Sequence, residues 1–276
     1  MKNSKTNAEP LHEVRVIKIQ TDTDAQQPVA GSDKVAVEAP VTIDVEGVGS
    51  YTVLCSPSDR RAMAVGFIYS EGIINTIDDI AMLEECVECP DVIRIRPRDP
   101  SSGTNATGRN LIITSSCGMC GSENIDDKIA AMRKVGNNLR VTPKLIRSLI
   151  LTLRDGQMIF KESGGTHAIC LFNDKGEVVS FAEDIGRHNA LDKAIGKCLL
   201  MKLPTAGLGA VLSGRISLEM VSKCARAGIE MICAVSAPTS LALKAASQCG
   251  MSVIAFVRET RATIYTHPER VALNMA

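Results

Sequence analysis

The sequence of 276 residues contains no tryptophan and few other aromatic residues, three Tyr and five Phe. Proteins that bind single-stranded nucleic acid stack bases on aromatic side chains, so this scarcity argues against that function. Charge of neither sign is in excess, because 31 Lys and Arg balance 31 Asp and Glu. The sequence also has no dense block of Lys and Arg, so a nucleic-acid-binding surface is not expected.

Long apolar runs are absent as well: none approaches the roughly 18 residues of a membrane-spanning helix. Residues 1–10 are polar and lack the apolar stretch of a secretory signal peptide. We therefore expect a cytoplasmic protein with no membrane partner. The apolar fraction of 45% is ample for a core, and the length suits one large domain or two smaller ones.

The ten cysteines do not indicate a disulfide framework, because a chain of this length in a reducing compartment needs none. Six lie in apolar segments and are predicted to be small buried side chains. These six are Cys55, Cys170, Cys198, Cys224, Cys233 and Cys249. The other four form two C-x-x-C pairs, Cys86/Cys89 and Cys117/Cys120.

The two C-x-x-C pairs allow two interpretations. Gly118 and Gly121 flank the second pair, and their backbone freedom suits a loop that must reach another protein. A C-x-x-C pair can lower the pKa of a thiol, so that the reactive thiolate is present at neutral pH. Alternatively, the four thiolates match a structural zinc site. The 27 residues between the pairs exceed the usual spacing of about 15–20.

Strand and helix patterns alternate in the C-terminal half. A hairpin at residues 168–172 and 177–181 precedes three helix–strand repeats between residues 189 and 257. This order predicts an α/β domain with right-handed crossovers on a largely parallel sheet. We place its start within residues 136–138. The chain is thus divided into a polar, partly flexible segment 1–33, an α+β domain 34–138 containing the Cys117/Cys120 loop, and an α/β domain 139–276.

The N-terminal part shows shorter patterns. They predict a strand at residues 14–19, a hairpin of residues 35–44 and 51–54, and a helix after Pro57. Ile93 and Ile95 alternate with arginines, as in a half-buried strand, and residues 83–85 resemble the end of a helix. Further predicted elements are a strand at residues 111–114 and a helix opened by Thr142 and Pro143.

Three polar turns follow predicted strands of the α/β domain, at residues 183–189, 213–215 and 237–240. Ligands of α/β proteins bind at this edge of the sheet, and the helix start after each turn favours an anion. Arg258 and Arg261 add positive charge after the last strand. Each turn alone could be a helix cap or a salt-bridge cluster, but together they favour a shared anionic ligand.

The order of these elements resembles that of zinc nucleoside deaminases, but their catalytic residues are missing. Deaminases need H-x-E and P-C-x-x-C. Here His167 is followed by Ala168 and Ile169, and Pro238 by Thr239 and Ser240. We therefore predict a related frame without deamination.

Seven segments between about Pro40 and Arg270 together resemble the formate dehydrogenase accessory sulfurtransferase family (FdhD). They are residues 65–67, 70–74, 115–121, 164–168, 183–193, 213–215 and 237–240, followed by the tail 265–270. The resemblance implies a cytidine-deaminase-like three-layer α/β C-terminal domain, a smaller N-terminal α+β domain and a homodimer.

The same resemblance implies a sulfurtransferase. A cysteine desulfurase would load sulfur as a persulfide on Cys117, with Cys120 as its partner. The sulfur would pass to the bis(molybdopterin guanine dinucleotide) molybdenum cofactor, which formate dehydrogenase then uses. The family's cofactor-binding stretch falls on Phe256, Val257, Arg258, Glu259, Thr260 and Arg261. GDP is expected to mimic the cofactor at this stretch.

Two alternative functions remain open from the residues alone. One is a thiol–disulfide oxidoreductase using Cys117/Cys120, although no thioredoxin-like pattern surrounds the pair. The other is a non-catalytic, zinc-stapled cofactor chaperone. A closed zinc site would quench the Cys117 thiolate, so a sulfur carrier should hold no metal at Cys117 and Cys120. Glu259 and the Cys86/Cys89 pair depart from the family pattern.

Overall fold

The computed structural model describes residues 9–22, 28–86, 88–99, 111–113 and 125–273, with residues 111–113 described through their backbone alone. The strands within this part of the chain are β1 (Leu11–Lys18), β2 (Val29–Ala36), β3 (Ala39–Val45), β4 (Gly49–Cys55), β5 (Ile80–Glu85), β6 (Val92–Pro97), β7 (Leu111–Ile113), β8 (His167–Phe172), β9 (Val178–Asp184), β10 (Gly209–Leu212), β11 (Met231–Ala234), β12 (Ser252–Ala255) and β13 (Thr263–Thr266). The helices are α1 (Arg60–Ser70), α2 (Ile125–Ala130), α3 (Pro143–Gly156), α4 (Met158–Ser163), α5 (Arg187–Leu200), α6 (Leu218–Arg226) and α7 (Ser240–Cys249), with 3₁₀ turns at Ile77–Asp79 and Pro268–Arg270.

The C-terminal half is built on a six-stranded sheet of order β13-β12-β11-β10-β8-β9. Strands β10, β11 and β12 are parallel, whereas β8, β9 and β13 each pair antiparallel with their neighbours. The sheet is therefore mixed rather than largely parallel, because β13 and the β8–β9 hairpin cover its two edges. The short strand β13 is absent from the sequence-based expectation.

Side chains that alternate along the central strands supply two cores, since successive residues of a strand point to opposite faces. Val211 of β10 packs in one core with Leu149 and Leu153 of α3. Its neighbours Ala210 and Leu212 pack in the other core, with α5, α6 and α7. Helices on both faces of the sheet give three layers, and the predicted three-layer α/β class is confirmed.

The N-terminal half contributes a five-stranded sheet of order β5-β6-β3-β4-β7. In β6, Ile93 and Ile95 are buried and Arg94 is exposed, as the alternation predicts. Residues 83–85 were expected to end a helix, and that expectation is wrong. They belong to the edge strand β5, which pairs with β6 alone in this sheet and ends in two exposed charged residues, Glu84 and Glu85.

A separate two-stranded hairpin, β1–β2, precedes this sheet. Its first strand, β1, corresponds to the strand predicted at residues 14–19. The single strand expected over residues 35–44 is instead two strands, the end of β2 and most of β3. Residues 136–138, the expected domain boundary, are bound to the C-terminal half. The backbone N–H of Asn138 donates to the buried carboxylate of Glu230, and Arg270 donates to the carbonyl of Gly136. The division into three segments stays a prediction.

Helices α1 and α5 join the two halves through backbone contact. A Cβ added at Gly66 would lie 1.8 Å from the carbonyl oxygen of Asp192, and one at Gly196 would lie 1.9 Å from that of Ala62. Only glycine at both positions permits this crossing. Because of the close approach, one apolar core runs from the N-terminal sheet through α1 and α5 to α7.

The six cysteines predicted to be buried are all buried, and burial raises the pKa of Cys55 and of Cys170 to about 12. These thiols are therefore protonated packing groups at neutral pH. No helix among the described residues combines the length and apolar character that crossing a bilayer requires.

Candidate anion site at the carboxyl edge of the sheet

The three predicted turns meet at one edge of the six-stranded sheet. Strands β9, β10 and β11 end there, and antiparallel β8 begins there, so that His167 is paired with Asp184. The Ser213 hydroxyl accepts a hydrogen bond from the N–H of Ala168 and lies 3.4 Å from Nδ1 of His167. A backbone bridge between Ile216 and Pro238 joins the second turn to the third. The structure thus brings the turns together, as the sequence predicts.

The first turn is held by a buried ion pair. Asp184 and Lys193 are both fully buried, and Nζ of Lys193 lies 2.6 Å from Oδ2 of Asp184. The carboxylate of Asp184 also accepts hydrogen bonds from the backbone N–H groups of Ser56 and Gly186 and from the side chain of Asn189. Lys193 donates in addition to the carbonyl of Ser56. Asp184 therefore has its charge and lone pairs satisfied within the protein.

Glu183 is occupied in a similar way. Its carboxylate accepts hydrogen bonds from the N–H groups of Ile159 and Phe160 and from the hydroxyl of Thr166. The two N–H groups are free donors at the start of α4, so Glu183 fixes this short helix beside the site. Both acidic residues of the segment 183–189 thus have structural partners, as in the salt-bridge interpretation of that turn.

Arg187 of the same segment has no such partner for its Nε among the described residues. This nitrogen atom is buried. A Cβ at Gly214 would lie 3.3 Å from Nδ1 of His167 and 3.5 Å from Cβ of Arg187, so the absence of a side chain there lets these groups approach. Burial lowers the pKa of His167, and the charges of Arg187 and Arg215 lower it further. The positive charge at this point favours an anionic ligand.

Next to Arg187 on α5, His188 contacts Glu219 of α6. Nε2 of His188 is 3.2 Å from Oε2 of Glu219, and both side chains are mostly buried. Burial lowers the pKa of His188 to about 3 and raises that of Glu219 to about 7. Lys223 lies deeper, 2.5 Å from Asp192. The contact between His188 and Glu219 could not be predicted from the sequence, because the two residues come from different helices, α5 and α6.

Glu219 should make stability depend on pH. Unfolded, it loses its proton near its ordinary pKa of 4.5, and folded near 7, so the folded state holds an extra proton between these values. The free energy of unfolding therefore falls as pH rises through this window. The variant Glu219→Gln has no carboxyl group to titrate here, so its free energy of unfolding should not fall in this way. Its stability relative to wild type should therefore improve from about pH 4.5 to about 7 and then level off.

Urea unfolding of both proteins across that range measures the effect. The contribution of His188 has the opposite sign, because its depressed pKa makes stability rise with pH up to about 6.5, its ordinary value. Since His188 is present in both proteins, the difference between them reports mainly on Glu219. A difference that does not change with pH would contradict the raised pKa.

Two pockets flank the stretch 256–261. One, of about 570 Å³, is lined by His167, Ser213 and Arg258 together with residues of α3 and α4. The other, of about 440 Å³, contains Arg258, Arg261, Lys144 and Arg147. Both pockets therefore carry basic residues beside a concave surface, which suits a large anion.

The predicted cofactor-binding residues differ in their placement. Val257, Arg258 and Glu259 line both pockets, whereas Thr260 and Arg261 line only the smaller one. Phe256 lines neither; it is 40% exposed and has a left-handed φ of 51°.

Ion pairs and backbone contacts fix two of these residues. Oε1 of Glu259 lies 3.6 Å from Nη1 of Arg154, so its charge is matched within the site. Arg258 donates to the carbonyl of Val235 at the end of β11. Glu259, which departs from the family pattern, therefore has a positive partner in Arg154 and does not leave an unpaired negative charge beside the pockets.

Several wall residues were not singled out from the sequence. The larger pocket is also lined by Arg154 of α3, Phe160 of α4 and Gln157 between the two helices. Helix α4 has six residues and no regular apolar face, so a periodic pattern cannot reveal it. The predicted carrier residues, Cys117 and Cys120, lie outside the described residues.

Comparison with known proteins gives consistent matches. Two curated relatives carry the name sulfur carrier protein FdhD. One, from Saccharolobus solfataricus, is 39% identical over 87% of this chain and 91% of its own. The other, from Streptomyces avermitilis, is 33% identical over 95% of this chain and 96% of its own.

A crystal structure of a Desulfotalea psychrophila protein, described as a formate dehydrogenase accessory protein, matches with a TM-score of 0.75. At 22% identity it covers 95% of this chain and 100% of its own, and it supports the fold. The family model for FdhD/NarQ matches residues 36–272. The chain therefore belongs to the FdhD/NarQ family.

Proposed function

We propose that this protein is a sulfur carrier that serves the maturation of formate dehydrogenase. The observation that carries the proposal is the conjunction of family membership with an unneutralised basic site, centred on Arg187 and the strand-end turns. A persulfide on Cys117 would carry the sulfur, and a cysteine desulfurase would supply it. Cys120 would assist as a second thiol. In this role the protein acts as a sulfurtransferase, as a cytoplasmic homodimer.

The recipient we propose is the bis(molybdopterin guanine dinucleotide) molybdenum cofactor, bound as substrate. Its phosphates suit the basic edge, because guanidinium groups and helix N-termini bind phosphate through charged hydrogen bonds. The buried Nε of Arg187 has no hydrogen-bond acceptor among the described residues, and a phosphate oxygen would supply one. The two pockets that share Arg258 provide separate volumes for the two dinucleotide halves of this cofactor.

Sulfur loading distinguishes this function from thiol–disulfide exchange at the same pair. After incubation with a cysteine desulfurase and cysteine, mass spectrometry should find the mass of an added sulfur atom on the peptide containing Cys117. An oxidoreductase would instead gain no sulfur, and its peptide would lose two hydrogens to a Cys117–Cys120 disulfide only when a disulfide such as cystine is added as oxidant. A peptide that gains no sulfur from the desulfurase but is oxidised by cystine would overturn the sulfur-carrier proposal.

The proposed site also predicts binding of a guanine nucleotide. GDP should bind at this edge, and Arg261→Ala should weaken binding by about 1.5–3 kcal/mol, because a charged hydrogen bond to phosphate is lost. Added salt should weaken the wild-type interaction. Isothermal titration calorimetry measures both effects.

Arg61→Ala is a suitable control, since Arg61 is exposed on α1 and lines a different pocket. The control should bind GDP as the wild type does. Unchanged affinity of Arg261→Ala would remove Arg261 from the site.

A further inference from the structure

The Cys86/Cys89 pair has no part in the proposed sulfur transfer, yet its geometry suits thiol chemistry. The two residues lie on the turn between β5 and β6. The N–H of Cys86 donates to the carbonyl of Val92, and the N–H of Val92 donates to that of Cys89. Cys86 is partly exposed and Cys89 is exposed. Both thiols are thus held close together at the surface by a closed turn.

Specific contacts make the two thiols unequal. The backbone N–H of Cys89 donates to Sγ of Cys86 at 3.2 Å, and this bond, with the nearby charge of Arg94, lowers the pKa of Cys86. The Cys89 thiol forms a hydrogen bond with the Cys86 side chain, and this contact raises the pKa of Cys89. Such a pair, with one stabilised thiolate and one adjacent thiol, is the arrangement that exchanges disulfides.

The other described cysteines do not compete for this chemistry. All six are buried, and burial raises the pKa of each. Within the described part of the chain, accessible thiols are therefore confined to Cys86 and Cys89.

The charge around the turn narrows the class of substrate. Exposed acidic residues flank the pair in the sequence and outnumber the two basic groups beside it, Arg94 and Arg60, of which Arg60 donates to the carbonyl of Pro90 and lies 3.9 Å from Asp91. The acidic residues are Glu84, Glu85, Glu88 and Asp91. This negative field repels anionic reagents and attracts cations.

We propose that Cys86 and Cys89 form a second, independent thiol–disulfide exchange site, which acts on small cationic or uncharged disulfides. The Cys86 thiolate attacks one sulfur of the substrate RS–SR, whose S–S bond breaks and releases RS⁻. The Cys89 thiolate then attacks Sγ of Cys86 in the mixed disulfide and expels the second RS⁻. The protein dithiol is oxidised to a disulfide, and its two protons leave with the two RSH products.

The first test follows the products. The full-length Cys117→Ser/Cys120→Ser variant removes the other C-x-x-C pair, and cystamine serves as the cationic disulfide. Trypsin releases residues 62–94 as one peptide, which contains Cys86 and Cys89 and no other cysteine. This peptide should lose two hydrogens. With Cys89→Ser added, the reaction should stop at a mixed disulfide on Cys86. A peptide that stays reduced would overturn the proposal.

The second test follows the asymmetry of the two thiols. In the same background, Cys89→Ser should react with iodoacetamide at neutral pH at least about threefold faster than Cys86→Ser. The lower pKa of Cys86 raises its thiolate fraction at neutral pH, and reduced nucleophilicity offsets part of that gain. Arg94→Gln should slow the reaction of Cys86. Equal rates for the two variants, each of which keeps one thiol of the pair, would overturn the assignment of Cys86 as the nucleophile.

The third test concerns substrate charge. Rates with cystamine and with dianionic dithiodipropionate are each divided by the rate of the same reagent with a free model thiol. The normalised rate should be higher for cystamine, and the preference should shrink as salt is added. A preference for the anionic reagent would overturn the proposed substrate class.

Discussion

Replacement of Cys117 by alanine is expected to abolish sulfur loading and the maturation of formate dehydrogenase, with no change in fold. The proposed reaction passes through a covalent persulfide, and alanine has no sulfur atom on which to form it. The loss should therefore be complete rather than partial. Formate dehydrogenase activity in a strain that lacks the native protein measures the outcome, together with circular dichroism of the purified variant. Restored activity would show that Cys117 is not the carrier.

The matched control removes the other C-x-x-C pair. The Cys86→Ser/Cys89→Ser variant should load sulfur on Cys117 and support formate dehydrogenase as the wild type does. The same variant tests the shared-zinc alternative, because a zinc site of four thiolates would lose two ligands. If this variant lost both bound zinc and sulfur transfer, a shared metal site would replace the independent pairs proposed above.

The alternation of helices and strands beyond residue 187 could be predicted from the sequence because each element buries a regular apolar pattern. Strand β10 is buried at all four of its residues, and α3 begins at a Thr142-Pro143 cap that the structure confirms. The elements that were missed lack this regularity. Strand β5 is an edge strand with a charged C-terminal end, and β13 has four residues of which none is buried. Their positions depend on pairing with distant strands.

The candidate site shows the same limit. The three turns could be predicted because strands ending at one edge bring their following residues together. Whether each side chain has a structural or a binding role could not be predicted, since that role depends on partners far away in the chain. Glu183 holds the start of α4, and Asp184 pairs with Lys193, whereas Arg187 keeps an unpaired donor. In a segment where all three are charged, only the folded protein distinguishes structural groups from binding groups.

The largest loss of stability is expected from Lys193→Met. This variant removes a positive charge that is fully buried 2.6 Å from Asp184. The carboxylate would remain buried without its counter-ion, and breaking a buried pair in this way costs about 3–5 kcal/mol. Urea unfolding should show a decrease of that size in the free energy of unfolding. Adding Asp184→Asn removes the stranded charge and should restore part of the loss.

Lys197→Met, on the same helix, is the control: it shows how much stability is lost when a lysine is replaced at a partly exposed position. Lys197 also pairs with an aspartate, Asp59, at 2.7 Å, but its side chain is 29% exposed. Water screens such a pair, so this variant should lose no more than about 1 kcal/mol. Lys193→Met should in addition weaken GDP binding, because Asp184 anchors Gly186 in the turn that precedes Arg187. Equal destabilisation by the two variants would show that the buried pair does not organise this edge of the sheet.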